Sequence, residues 1–576
     1  MKVRVSVSLL SVVALLVVSG TMRNHLQGAA SGPAPRLTAI TQITHDGYRK
    51  ANLLSDDSHL FVTELPASSR VITQLMLRSA DRSTLISPFS SLQALDVSPD
   101  QSKLLVSSTP KGSGESELWT WPVSSGDPVR LEGLSARDAS WSADGKALVF
   151  TKDSDLCVAN GDGSGPHKIH TAAGSIFAAR FSPNGQRIRF SVSDTEQNTS
   201  TLWEISKDGT KPHMLLADWP YKTTACCGNW TADGKYYVFQ ASQRVANTTL
   251  VVTSLWAVPD TSAETAFPAQ ITNGPMSFGN PSPARDNKNI WAIGVQPTAE
   301  VVKYEAKKKQ FVPLISGLSA TDVEFTNDGK WMAYVAIPEG TLWRARADGS
   351  ERLQLTTDAE RAALPHWSPN GKKIAYASLT PEGSWKLSIV GADGSDPHKM
   401  LSENGSQIDA NWSPDGEHLM FGEFNRDQNG LKIRIIDFKT GQITNIPDSD
   451  GLFSPRWSPN GRYIAALSPN GTDLMLFDFK TRKWTTWLKE PAGSFSYPIW
   501  SADSQSLYFD DLVTGSEAIR RVQVGRSEPE LVFELESLER YPGALGPWTS
   551  RAADGSFMFV RDRSTQEVYQ LTLELP

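Results

Sequence analysis

With 576 residues, of which 39% are hydrophobic and 21% charged, the chain is too long for one core and has the makeup of an ordinary folded protein, which excludes disorder on a large scale. A formal net charge of -7 excludes wrapping around a polyanion, because nucleic-acid binding draws on clustered Lys and Arg, and no nucleic-acid partner is expected. Of the three cysteines, Cys226 and Cys227 are adjacent, a geometry that rarely bridges to itself; pairing of Cys157 with one of them stays open.

The N-terminus reads Met1-Lys-Val-Arg4, then an apolar run from Val5 to Val18, then Ser19-Gly20-Thr21, the order of a secretory signal. Residues 1–22 are therefore a signal peptide or, if uncleaved, an N-terminal anchor, since extending the run to Met22 gives about 18 residues, enough for a short span. The expected location is exported, periplasmic or extracytoplasmic, with Val5 to Met22 as an inner-membrane tether in the anchored case. Residues 23–36, rich in Gly, Ala, Ser and Pro, read as a flexible leader.

From there one unit is written out repeatedly. Its clearest copy is Leu364-Pro-His-Trp-Ser-Pro-Asn-Gly-Lys-Lys-Ile-Ala-Tyr-Ala-Ser378. It recurs at Ala139 to Gly145, Ala179 to Gly185, Gly228 to Gly234, Val323 to Gly329, Ala410 to Gly416 and Pro455 to Gly461, with worn copies elsewhere, among them Leu54 to Asp57, Val97 to Asp100, Ser282 to Asp286, Ile499 to Asp503 and Arg551 to Gly555. About twelve copies at a period of roughly 40 to 50 residues are the signature of four-stranded propeller blades. Within Leu364 to Leu401 a short apolar strand, a Ser-Pro-Asn-Gly turn and the strand from Ile374 to Ser378 are followed by strands at Trp385 to Val390 and His398 to Leu401.

Asp144, Asp233, Asp328 and Asp415 alternate with Asn184, Asn370 and Asn460 in the same turn, so the charge is dispensable there. Asp and Asn share a side chain that bonds to nearby backbone, and the following Gly takes positive φ. The register aromatics Trp141, Phe181, Trp230, Phe325, Trp367, Trp412, Trp457 and Trp500 read as packing between neighbouring blades, since each sheet must bury two faces.

The fold class is all-β: two tandem β-propellers of six four-stranded blades each, with seven plus five as the alternative, because a single twelve-bladed ring would leave a wide, unpacked centre. The expected division is 37–310 for the first propeller and 311–576 for the second. Leu37 to Thr44 reads as a fourth strand and Glu567 to Leu573 as a third, so strands from opposite ends should close a ring. Two threadings fit: the N-terminal strand completes the last blade directly, or it completes the first ring at Val301 to Ala306 while Phe311 to Ser316 serves the second.

Function is sought in loops that depart from this grammar. The connection from Ala217 to Gly228 lies on the face opposite the Asp-Gly turns, near a channel mouth, and offers Trp219, Tyr221, Cys226 and Cys227 as ligand contacts beside the alternative of a loop packed on its own blade. The insertions Ala241 to Thr253 and Glu423 to Leu431 read as rim decoration.

At Leu353 to Tyr376, Asn411 to Glu417 and Pro455 to Ile464 the chain resembles the TolB-type, WD-like propeller family of bacterial envelope proteins. The doubled array also resembles the extracytoplasmic double propeller of membrane-bound bacterial winged-helix regulators, without their winged-helix domain, for which the short segment ahead of the repeats leaves no room. The resemblance implies the fold and is weak for function, because the same fold serves binding modules, peptidase gates and sensors. No Gly-x-Ser-x-Gly elbow, His-Glu-x-x-His or Cys-x-x-Cys grouping occurs, so no catalytic residue, metal or cofactor is assigned. The expectation is a non-catalytic scaffold in the cell envelope binding a protein, peptide or glycan. A tethered extracytoplasmic sensor is the alternative, and a propeller lyase or hydrolase the less favoured one.

Overall fold

The computed structural model describes residues 35–574, less internal stretches of one to six residues; the proposed signal or anchor and nearly all of the leader lie outside the described residues. Among the described residues there is no α-helix, and the strands form twelve four-stranded antiparallel sheets. Inner strands pack on one another in two closed circuits of six. The first ring contains blade 1 (49–84), blade 2 (92–135), blade 3 (138–171), blade 4 (175–214), blade 5 (225–270) and blade 6; the second contains blade 7 (320–354), blade 8 (361–399), blade 9 (406–445), blade 10 (453–489), blade 11 (495–534) and blade 12.

Blades 6 and 12 are composite. Blade 6 takes its first two strands from Ser277–Pro283 and Asn289–Gln296, its third from Thr565–Glu574 and its fourth from Arg36–Gln42. Blade 12 takes Thr549–Arg551 and Phe557–Asp562 first, then Ala299–Glu305 and Gln310–Pro313. The N-terminal strand thus pairs directly with the C-terminal one, Leu37 opposite Leu573 and Ile40 opposite Leu571, but the blade they finish belongs to the first ring. The division expected at 310 falls inside a strand of blade 12. The chain crosses between rings at 297–298 and returns at 563–564, where Arg563 N–H donates to Thr298 O at 2.9 Å. Closure leaves neither ring with an incomplete blade to associate through.

The two ends are further joined by a buried polar cluster. The Lys50 ammonium, wholly shielded from solvent, donates to Asp46 Oδ1 at 2.7 Å and to Gln566 O at 2.8 Å, and lies 3.4 Å from Glu567 Oε2. Glu567 also accepts from the Thr44 hydroxyl and the Gly47 N–H. A buried charge is tolerable only with partners of this kind.

The repeat turn has the expected chemistry. In blade 9 Ser413 Oγ donates to Asp415 Oδ1, Glu417 N–H donates to the same oxygen, and Gly416 has φ of 73°. In blade 8 Ser368, Asn370, Lys372 and Gly371 reproduce those bonds with an amide oxygen in place of the carboxylate. The register aromatics sit between blades: Trp367 Nε1–H donates to Glu324 O, Trp412 to His366 O and Trp500 to Arg456 O, each in the preceding blade.

Candidate functional site

Each inner strand runs from the connection with the previous blade down to the Asp-Gly turn. In blades 7 to 11 it carries a bulge whose residue lies in the left-handed region: Asp322 (φ 52°), Leu364 (47°), Asp409 (58°), Ser454 (54°) and Tyr497 (45°). Such bulges re-aim the side chains that follow. The same device at Ala178, Cys227 and Asn280 of the first ring shows it to be part of the architecture.

Below the bulges, the positions just before the register aromatics, or before Arg551 in the worn copy, form one layer around the second ring's channel: Glu324, His366, Asn411, Arg456, Ile499 and Ser550. They line a cavity of about 620 Å³. Asn327, Pro369, Pro414 and Pro459, at the repeat turns, line its outer end, so it opens on the turn face. At its inner end Leu364 and Tyr497 pack against Ala544 and Leu545 of the connection between blades 11 and 12. The cavity is a blind channel.

Its polar groups are held by neighbouring blades. Glu324 accepts from Trp367 N–H at 2.6 Å and from His366 Nδ1 at 3.1 Å. With Nδ1–H donating to Glu324, a neutral His366 presents Nε2 as an acceptor, and Nε2 is buried without a hydrogen-bond partner. Arg456 Nη1 donates to Asp409 Oδ1 at 2.6 Å and to Pro455 O at 2.9 Å. Asn411 Oδ1 accepts from Trp457 N–H at 2.7 Å. Behind this layer burial pushes the Asp322 carboxyl up to about 6, although Leu364 N–H stabilises its anion. Burial, together with Asp322, Asp409 and Asp510, drives the Tyr497 phenol well above its ordinary value.

The first ring holds the counterpart of the Arg456–Asp409 pair in Arg180, whose Nη1 lies 3.4 Å from Asp138 Oδ1. Here Nη2 also donates to Leu95 O of blade 2 at 3.3 Å, so the guanidinium bridges across the channel wall. Asp96 receives Trp141 N–H at 2.8 Å, and burial raises its carboxyl to about 6. These groups satisfy one another.

The residues proposed from the sequence lie elsewhere. Trp219 is buried in the core of blade 5, edge-on to Phe239 and Trp256, so it packs its own blade. Tyr221 is exposed and leans on Trp256. Cys226 and Cys227 are bonded to each other, contrary to expectation, at the bulge of the inner strand Ala225–Trp230, where Cys227 has φ of 59°; Cys157 is free. This loop lies on the face turned toward the second ring. The insertion Ala241 to Thr253 is not rim decoration: Thr249 N–H donates to Ala544 O at 2.8 Å and its hydroxyl to Gly543 O at 2.7 Å. The tip of the other insertion, 426–429, lies outside the described residues. The channel layer escaped sequence reading because its residues differ from copy to copy; its signal is position, one before the register aromatic.

No family model matches the chain. It is 36% identical over 78 residues to the Tol-Pal system protein TolB of Alcanivorax borkumensis, covering 14% of this chain and 18% of that protein. It is 26% identical over 110 residues to an uncharacterised protein of Agrobacterium fabrum, covering 17% of this chain and 38% of that one. The chain thus spans well under half the length of these curated relatives. Among solved structures a putative TolB from Agrobacterium tumefaciens superposes with a TM-score of 0.39 at 19% identity, covering 46% of this chain and 98% of that one. The chain carries TolB-like β-propeller repeats.

Proposed function

We propose that the protein is a non-catalytic binding scaffold of the bacterial cell envelope, exported by the segment 1–22, that holds a peptide or other small ligand in the channel of its second ring. The observation that carries the reading is the blind cavity of about 620 Å³, opening on the turn face and lined by unlike polar groups at equivalent positions. Its size is within the range of ligand pockets, and a few placed polar groups on a rigid frame are what orients a ligand in such a pocket. The signal-like N-terminus and the match to Tol-Pal system proteins favour the envelope.

The test is equilibrium dialysis of envelope extract against residues 35–574, read by mass spectrometry, beside the variant Ser550→Trp. Ser550 lines the cavity, and an indole there obstructs it. Ligands enriched by the parent protein and absent from the variant support the reading. Equal enrichment by both proteins, or none by either, rejects it.

A further inference from the structure

Resting on the channel as the binding site, we infer that its ligand is a short peptide with both termini free, its ammonium group held at Glu324 and its carboxylate at Arg456. In a six-bladed ring the third blade on is the opposite one, so Glu324 of blade 7 and Arg456 of blade 10 occupy equivalent positions on facing walls of the cavity.

Both groups keep hydrogen-bonding positions beyond those the protein uses, although Arg456 is ion-paired with Asp409. Glu324 keeps about a third of its side chain exposed, and its side-chain partners are the His366 imidazole and a backbone N–H. A carboxylate has about four acceptor positions, so room remains for an ammonium group. Arg456 spends only Nη1 on Asp409 and Pro455. The side chain, 12% exposed, lines the cavity, and Nε and Nη2 are the donors left to a ligand there. Guanidinium and carboxylate form the strong, charge-assisted kind of hydrogen bond.

Shape limits the ligand further. The inner end closed by Tyr497, Leu364 and Leu545 prevents a chain from threading through, and the cavity volume holds only a few residues. A saccharide fits less well. The indoles of Trp412 and Trp457 are stacked on Phe438 and Phe479 between blades, so they offer edges rather than open faces for a sugar ring. An acidic sugar would also offer Glu324 no cation.

The probe is a tripeptide library in three forms, with free termini, N-acetylated and C-amidated, dialysed against the parent protein and Ser550→Trp; a galacturonic acid trimer serves as a fourth arm. Retention of the free library at least tenfold above both capped libraries, lost in Ser550→Trp, is the expected result. In Glu324→Gln the preference over the acetylated form should vanish, and in Arg456→Gln the preference over the amidated form, with melting temperatures reported for each. Equal retention of free and capped peptides, abolished by Ser550→Trp, overturns the inference and leaves the channel reading intact. Retention unaffected by Ser550→Trp overturns both. No retention of any peptide, or retention of the uronate trimer in preference, overturns the inference.

Discussion

Thr249, at the tip of a first-ring hairpin, donates its backbone N–H to Ala544 in the connection that closes the second ring's channel. The two rings are thus joined by two chain crossings and by a strut that bears on the closed end of the cavity. Thr249→Pro removes that N–H and the hydroxyl bond to Gly543, an expected loss of about 1 to 3 kcal/mol for two hydrogen bonds. Thr249→Val removes only the second and should lose about half as much. Hydrogen exchange should quicken across 541–548 in Thr249→Pro while the blades keep their protection.

Ring closure predicts a large effect of a small deletion. Removing 36–47 takes away the fourth strand of blade 6 together with Asp46, leaving the edge of Thr565–Glu574 bare and the buried Lys50 short of a partner. The expected outcome is aggregation or a severe fall in melting temperature. A monomer melting like the parent protein would mean that the terminal strands do not close the ring.

The repeat turn separates charge from conformation. Asp415→Asn should leave stability within about 0.5 kcal/mol of the parent, because Asn370 already makes the same bonds in blade 8. Gly416→Val should destabilise by about 1 to 3 kcal/mol, since Gly416 sits at φ of 73°, which a β-branched residue resists. Trp412→Ala should cost roughly 3 to 5 kcal/mol, because its ring stacks on Phe438 and its N–H reaches blade 8. Chemical denaturation of the three variants checks all three values.

Two buried carboxyls give a pH dependence opposite to that of ordinary acid denaturation. Asp322 and Asp96 titrate near 6 in the folded chain and near 3.8 unfolded. Between those values the folded state holds protons that the unfolded state has released, so these groups lower stability as pH rises from about 4 to 6. Asp322→Asn keeps an acceptor for Leu364 N–H and should remove part of that decline, raising stability at pH 7 by on the order of 1 to 3 kcal/mol. The turn aspartates act the other way. Asp328, held down to about 2 by Thr326 and the Lys330 N–H, contributes stability that is lost as pH falls below about 4. Melting curves from pH 3 to 8 on the parent and Asp322→Asn check the sign.

Turn and register chemistry were legible because they are repeated: Ser413, Asp415 and Gly416 do what Ser368, Asn370 and Gly371 do. Threading was only half legible. Leu37 to Thr44 announces a missing partner, but nothing in an outer strand as short as Gln310–Pro313 says which ring it serves; the pairing of its neighbour Ala299–Glu305 with Phe557–Asp562, far along the chain, decides that. The layer around the second ring's channel was least legible. Trp219 and Cys227 draw the eye as unusual residues, yet one fills a core and the other occupies a bulge that most inner strands share. Glu324, His366 and Arg456 are ordinary residues until ring closure places them around one cavity.

The most direct test is hydrogen exchange of residues 35–574 with and without the ligand recovered by dialysis. Protection is predicted in the second ring's inner strands Ala320–Phe325, Arg361–Trp367 and Phe453–Trp457 and in the turns below them. Protection confined to the first-ring connection 217–224 and the strand Ala225–Trp230, with the second ring unchanged, would contradict the assignment of the channel.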